Sequence, residues 1–318
     1  RDPENGITTL GYDGVGNNIS IADPNNHTTT LEYDRLNREK KITNALGNAI
    51  EYTYDPVGNQ TSFKDQNGRL KTFAYDGVNR LISTTDALNH TTTVAYDERG
   101  NVVGLKDANG HNTTFQYNEL NRLTKKTNPV GDVTLYDYDG VGNLTAVSLP
   151  GGNSVSVLYD KLNRIQTIND AFGVVAKYSY DKNSNKLTVS DGNDNTTKYF
   201  YDAIDRVIKT EDPSGKATLF TYDKNDNLTQ VTDRKGNVSV FTYDRLDRRK
   251  TSKDPLNNIT TFNYDPASNL ISLIDAKNNA TLYGYDAIDR RTTETYPNGD
   301  QRSMAYDPVG NLVGRTEP

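Results

Sequence analysis

The chain has 318 residues, a formal net charge of −6 with both signs spread along it, 33% hydrophobic residues, no Cys and no Trp. That balance disfavours nucleic acid, which asks for a basic stripe. It leaves no disulfide framework or thiolate metal site, and no apolar run nears the ~18 residues of a membrane span. A mean hydropathy of −0.80 is too low to fill a thick core, but suits a thin structure in which each unit leans on its neighbours.

From the N-terminus onward, a Tyr recurs every 21 residues: Tyr12, Tyr33, Tyr54, Tyr75, Tyr96, Tyr117, Tyr138, Tyr159, Tyr180, Tyr201, Tyr222, Tyr243, Tyr264, Tyr285 and Tyr306. Asp follows each one except Tyr117, which precedes Asn118. Fifteen copies without insertion or deletion mark a repeat architecture. Residues 1–318 read as a single array of about fifteen 21-residue repeats. Because the pattern runs to both ends, the array is expected to be a fragment of a longer chain.

Within each repeat, an apolar and usually aromatic residue lies two before the Tyr, as in Tyr52, Phe73, Phe115 and Phe220. Spacing of two places both rings on one face of a β-strand, and Thr-rich stretches upstream extend it. The fourth residue after the Tyr is Gly, Asn, Asp or Ser, for example Gly16, Asn37, Gly58 and Asp205. Gly, Asn and Asp tolerate positive φ, so a turn is expected there, with the Asp after Tyr capping backbone N–H groups. A second strand follows, such as Ile19-Ser20-Ile21. A second turn then closes the unit, as in Asp65-Gln66-Asn67-Gly68, with the signature of a type I turn ending in a left-handed residue.

A second period overlies the first. Five residues after each Tyr the chain alternates Asn17, Arg38, Asn59, Arg80, Asn101, Arg122, Asn143, Arg164, Asn185, Arg206, Asn227, Arg248, Asn269, Arg290 and Asn311. The unit is therefore 42 residues, two unlike hairpins. Arg on every second hairpin avoids a like-charge ladder near the ~8 Å Debye length and lets each Arg pair with nearby Asp. A different environment for the two hairpins in an assembly is the other explanation.

Thirty strands at ~4.8 Å would make a ribbon on the order of 140 Å. Open sheets rarely exceed ~10 strands without curling. The expected fold is therefore all-β: 21-residue hairpins in a continuous spiralling sheet around a hollow lumen, tube or shell, with the aromatic rows stacked as cross-strand ladders.

The run Tyr138-Asp139-Gly140-Val141-Gly142-Asn143-Leu144, with Tyr75-Asp76-Gly77-Val78-Asn79-Arg80-Leu81, resembles the YD repeat of the Rhs family, and the resemblance covers essentially the whole chain. In the Rhs, toxin-complex B and C and teneurin relatives, it implies a β-strip walling a hollow shell. Such shells often end at a self-cleaving Asp boundary. Asp307-Pro308-Val309-Gly310 is similar to one, but Asp55-Pro56-Val57-Gly58 shares its letters, so no protease is assigned.

No catalytic motif, cofactor site or metal site is expected. His27, His90 and His111 share one exposed slot in the second turn, and each carboxylate belongs to a turn register. The Asp-x-Asn-Gly turns resemble calcium loops without the downstream Glu, and plain turns are the favoured reading. Asn18, Asn26, Asn59, Asn89, Asn112, Asn143, Asn195, Asn227, Asn237, Asn258 and Asn279 head Asn-x-Ser/Thr triplets, acceptors for glycans if the source glycosylates.

The expected role is the non-enzymatic wall of an extracellular or cell-surface tube, fibre or scaffold. The alternatives are a shell segment enclosing a toxin cargo, and an adhesive or carbohydrate-binding surface of exposed Tyr. Expected partners are neighbouring repeats of the same long chain, self-assembled copies or an enclosed cargo domain, with no nucleic acid.

Overall fold

A computed structural model describes all 318 residues. They form thirty β-strands and no helix, from β1 (Thr9–Tyr12), β2 (Asn18–Ala22) and β3 (Thr28–Tyr33) to β29 (Gln301–Tyr306) and β30 (Leu312–Thr316). Each strand pairs antiparallel with its sequence neighbours, β1 with β2, β2 with β3, and so on to β30. No strand packs on a strand that is not its neighbour. The sheet is one uninterrupted meander, a single layer.

The local chemistry sets this pattern. In β5 (Ala49–Tyr54) the rings of Tyr52 and Tyr54 are half-buried while Thr53 between them is exposed, the period-two pattern of a strand with one packed face. The Asp after Tyr then closes a five-residue loop. Asp55 N–H donates to Asn59 O at 2.9 Å and Gly58 N–H donates back to Asp55 O at 3.2 Å. Asp55 Oδ1 accepts from the N–H groups of Val57 and Asn59. The fourth position after Tyr takes positive φ throughout, 59° at Asn37 and 103° at Gly58. Gly58 lies beyond the range comfortable for a residue with a Cβ.

Each Tyr sits at a β-bulge: Thr53 faces Ser62, but Tyr54 faces Gln60, leaving Thr61 as the extra residue. The carbonyl of the residue opposite the Tyr is then taken up by the next repeat. Tyr75 donates its O–H to Gln60 O at 2.9 Å, and the same bond recurs from Tyr33 through Tyr306, always to the carbonyl fifteen residues earlier. The phenol thereby satisfies a backbone acceptor at the bulge and ties one hairpin to the one before it.

The aromatic rows do not stack as expected. Only Tyr52 and Phe63 form a ring pair, with centroids 5.8 Å apart. Elsewhere the residue opposite the ring is aliphatic, charged or small: Val147 opposite Tyr136, Lys126 opposite Phe115, Ser252 opposite Phe241. The Tyr of every second repeat, from Tyr54 to Tyr306, lies against an Arg guanidinium instead.

The strip curls on itself. No side chain is buried, and only Gly6 lacks exposure. Yet turns about 240 residues apart touch. Asn25 Nδ2 donates to Asp265 Oδ2 at 2.9 Å, Asn67 Nδ2 to Asp307 Oδ2 at 3.0 Å, and Arg245 N–H to Glu4 Oε1 at 3.1 Å. One revolution thus takes about 23 strands, a circumference of about 110 Å at ~4.8 Å per strand and a diameter of about 35 Å. The 318 residues make roughly one and a third turns of a spiral whose interior no part of the chain fills.

Candidate functional site: the repeat couplings and the seam

The strip has two rims. The loops after each Tyr form one and the second turns form the other. Along the first rim, the two kinds of hairpin hand over to each other in different ways. Asn17 donates through Nδ2 to Asp13 Oδ2 in its own loop, and forward to Asn37 Oδ1 at 3.0 Å. Asn59, Asn101 and Asn143 repeat this towards Asn79, Asn121 and Asn163, and Asn185, Asn227 and Asn269 towards Asp205, Asp247 and Asp289. Asn311 keeps the bond within its loop, to Asp307.

The Arg hairpins behave otherwise. Arg38 donates through Nε to Asp34 Oδ2 at 2.7 Å and through Nη1 to Asp55 O at 3.0 Å, while its guanidinium lies 4.6 Å from the centre of the Tyr54 ring. Arg80, Arg164, Arg206, Arg248 and Arg290 do the same over Tyr96, Tyr180, Tyr222, Tyr264 and Tyr306. A partly desolvated cation over a phenol is worth about 0.5–2 kcal/mol, so charge–ring stacking replaces the ring–ring ladder.

This explains the 42-residue period. The loop that receives an Arg carries Gly or Ser at its left-handed position, as at Gly58, Gly142, Ser184 and Ser268, with Asp226 as an acidic variant. The loop that receives an Asn amide carries Asn or Asp there, an acceptor. Arg164 and Arg248 reach Ser184 Oγ and Ser268 Oγ at 3.3 and 3.0 Å. The sequence signal for this pairing of donor with receiving loop is the matched alternation of Gly/Ser with Asn/Asp beside that of Asn with Arg.

One hairpin breaks the rule. Asn118 stands where the other Arg hairpins have Asp, and Arg122 Nε is buried without a partner. The backbone bonds from Leu120 and Arg122 to Asn118 Oδ1 are kept. Asn118→Asp is expected to stabilise the array by about 1 kcal/mol by supplying the missing charged acceptor. Urea unfolding measures this, and a lower midpoint for the variant would contradict the assignment.

The turn carboxylates are held ionised. Asp13, Asp97 and Asp139 lie below the usual carboxylate range, chiefly through the Asn amides at Asn17, Asn101 and Asn143. Asp307 is pulled down to about 2 by Asn311 first, with Asn67 from the adjoining coil adding to it against a desolvation cost. In the Asp-x-Asn-Gly turns, Asp65 Oδ1 accepts from the N–H groups of Asn67 and Arg69, so this carboxylate oxygen serves the turn.

His27, His90 and His111 each point Nδ1 at the Asp four residues earlier, Asp23, Asp86 and Asp107, at 2.9–3.2 Å. Only at His27 does the curl add a third group. Asp289 comes across the seam, so that its carboxylate, that of Asp23 and the imidazole lie within 4.8 Å of one another. That is one group short of the four of a closed tetrahedral metal site. The open concavities beside Tyr243 and Tyr264, beside Asp97 and Tyr117, and beside Phe63 and Leu70 gather no nucleophile with a base and an oxyanion donor.

The RHS repeat family matches residues 201–238, 222–259, 264–301 and 285–318. No curated protein matches the chain by sequence. Among solved structures, the TcdB2-TccC3-Cdc42 crystal structure superposes with TM-score 0.81 at 15% identity, covering 97% of this chain and 20% of that one. TcdB2-TccC3 without its hypervariable C-terminal region gives 0.75 at 16%, covering 97% and 21%. The Photorhabdus luminescens Tc holotoxin pore gives 0.55 at 13%, covering 97% and 23%. The chain thus spans about a fifth of the length of these proteins, which share its fold. The teneurin YD-shell family matches residues 11–192, more than half of the sequence, and the chain belongs to that family.

Proposed function

We propose that this chain is a non-enzymatic segment of the wall of a hollow extracellular shell that encloses a protein cargo. The observation that carries this reading is the seam: a single-layer sheet meets itself after 240 residues with nothing packed inside it. Accumulated twist curls so long a sheet, and the curl leaves an open axis that a cargo can occupy. The Tc holotoxin pore, which shares the fold, is a toxin by name, which supports a toxin as the cargo. A diameter of about 35 Å less two layers of side chains leaves about 25 Å. That admits an unfolded chain or a helix of about 10–12 Å, but not a folded domain of about 100 residues, whose radius of gyration is about 13 Å. A cargo in this part of the lumen is therefore threaded or unfolded.

A uniform open tube or stalk is the second reading, favoured by the unbroken 21-residue spacing and by seam bonds that recur after 42 residues. Cryo-electron microscopy of the full-length protein with limited proteolysis separates the two. A shell shows closed ends, weak internal density and a segment protected until the wall is cut. An open-ended, empty tube with every other segment cleaved at once would overturn the shell reading.

A further inference from the structure

The seam joins the two rims of one strip, and its chemistry is repeated along rims that this chain leaves free. On the second-turn rim the third turn residue mostly alternates: polar at Asn25, Asn67, Asn109, Asn193, Lys235 and Lys277, apolar at Leu46, Leu88, Val130, Phe172 and Leu256, with Glu4, Gly151, Ser214 and Asn298 departing from the pattern. Asn25 and Asn67 in the polar slot bond across the seam to Asp265 and Asp307, and Glu4, in register with the apolar slot, accepts there from Arg245 N–H. The apolar slot is the one that loses exposure there. Leu46, within the seam, is 42% exposed, against 74–95% for Leu88, Val130, Phe172 and Leu256 outside it.

The opposite rim shows the same contrast. Val309, in the seam, is 36% exposed, while Val141 in the equivalent slot on the free part is 76%. Leu246 and Ile288 are half-buried, and their counterparts Leu120 and Leu162 are exposed. Both rims therefore carry apolar knobs that the seam covers only over its short length. Lys235 and Lys277 occupy the Asn25 slot on the free rim, where their counterparts at the seam face carboxylates.

We propose that the free second-turn rim of one copy docks on the free Tyr-loop rim of a second copy, repeating the seam and extending the spiral wall head to tail. The contact joins unlike surfaces and repeats the axial offset of the seam, so it extends a spiral rather than closing a ring, and growth beyond a dimer follows from the same geometry. The occupant is argued from continuity with the existing seam and from charge, Lys235 and Lys277 meeting the ionised loop carboxylates. The proposal does not depend on whether the wall encloses cargo.

Sedimentation velocity of this chain over a concentration series tests it, with two variants altered only at exposed turn apices. One carries Leu88→Lys, Val130→Lys and Phe172→Lys; the other carries Leu120→Lys, Val141→Lys and Leu162→Lys. Circular dichroism and melting temperature should match the parent for both. The parent should associate beyond dimers and each variant alone should stay monomeric. An equal mixture should stop at a one-to-one dimer, since each variant keeps one intact rim. A parent that is monomeric up to about 100 μM, or oligomers that persist in both variants, or no complex in the mixture, would overturn the proposal.

Discussion

The array is expected to unfold in acid between pH 4 and 2. The sign follows from the loop carboxylates: their folded values lie below the ordinary 3.8, and Asp307 sits at about 2. A group depressed on folding contributes stability that is complete above its unfolded pKa and is lost as pH falls through its folded value. The loss is collective, because nearly every Tyr loop holds one of these aspartates and each closes its loop by accepting N–H groups. Once they are neutral, 36 Lys and Arg and 3 His remain charged on a strip with no core. The melting temperature, followed by circular dichroism from pH 6 downward, should hold to about pH 4 and then drop steeply. A melting temperature flat to pH 2.5 would show that the carboxylates do not carry the loops.

Gly142→Val is expected to cost about 1–3 kcal/mol, the range for a β-branched residue forced to strongly positive φ. Gly142 sits at φ 104°, whereas the Asn, Asp and Ser residues in the same slot sit at 57–76°. The slot also receives the neighbouring guanidinium: a Cβ there would lie 3.8 Å from Arg122 Nη1, so extra branching crowds the Arg over Tyr138. Gly142→Ser should cost far less, since Ser already serves the Arg-receiving slot at Ser184 and Ser268. Lys224→Val, on an exposed loop position, should cost little. Chemical denaturation ranks the three, and equal midpoints for Gly142→Val and Lys224→Val would refute the positive-φ requirement. Because stability in an array spreads over nearest neighbours, the loss should appear as local opening around Tyr138 before global melting.

Much of this architecture is legible in the letters. The interval between Tyr12 and Tyr33 sets the hairpin, the Gly or Asn at positions such as Gly58 and Asn79 sets the turn, and the strand count forces the curl. These signals are local, and in a single-layer meander local pairing is nearly the whole fold. Two features lie beyond local spacing. The forward reach of Arg38 over Tyr54 joins residues 16 apart through side-chain direction, which spacing alone does not give. The seam joins Asn25 to Asp265 across a revolution of 240 residues, a length set by accumulated sheet twist and curl rather than by any motif. The Asp23, His27 and Asp289 grouping was hidden for the same reason.

The strict neighbour-to-neighbour pairing has a kinetic corollary. Each hairpin needs only its own 21 residues and an edge already laid down, so the entropy of closing a long loop is never met during winding. A nascent strand can therefore coil as it leaves the ribosome, one hairpin at a time, around whatever occupies the axis. Edge-to-edge closure must wait for a full revolution to be synthesised, which leaves an interval during which the coil is still open at its side.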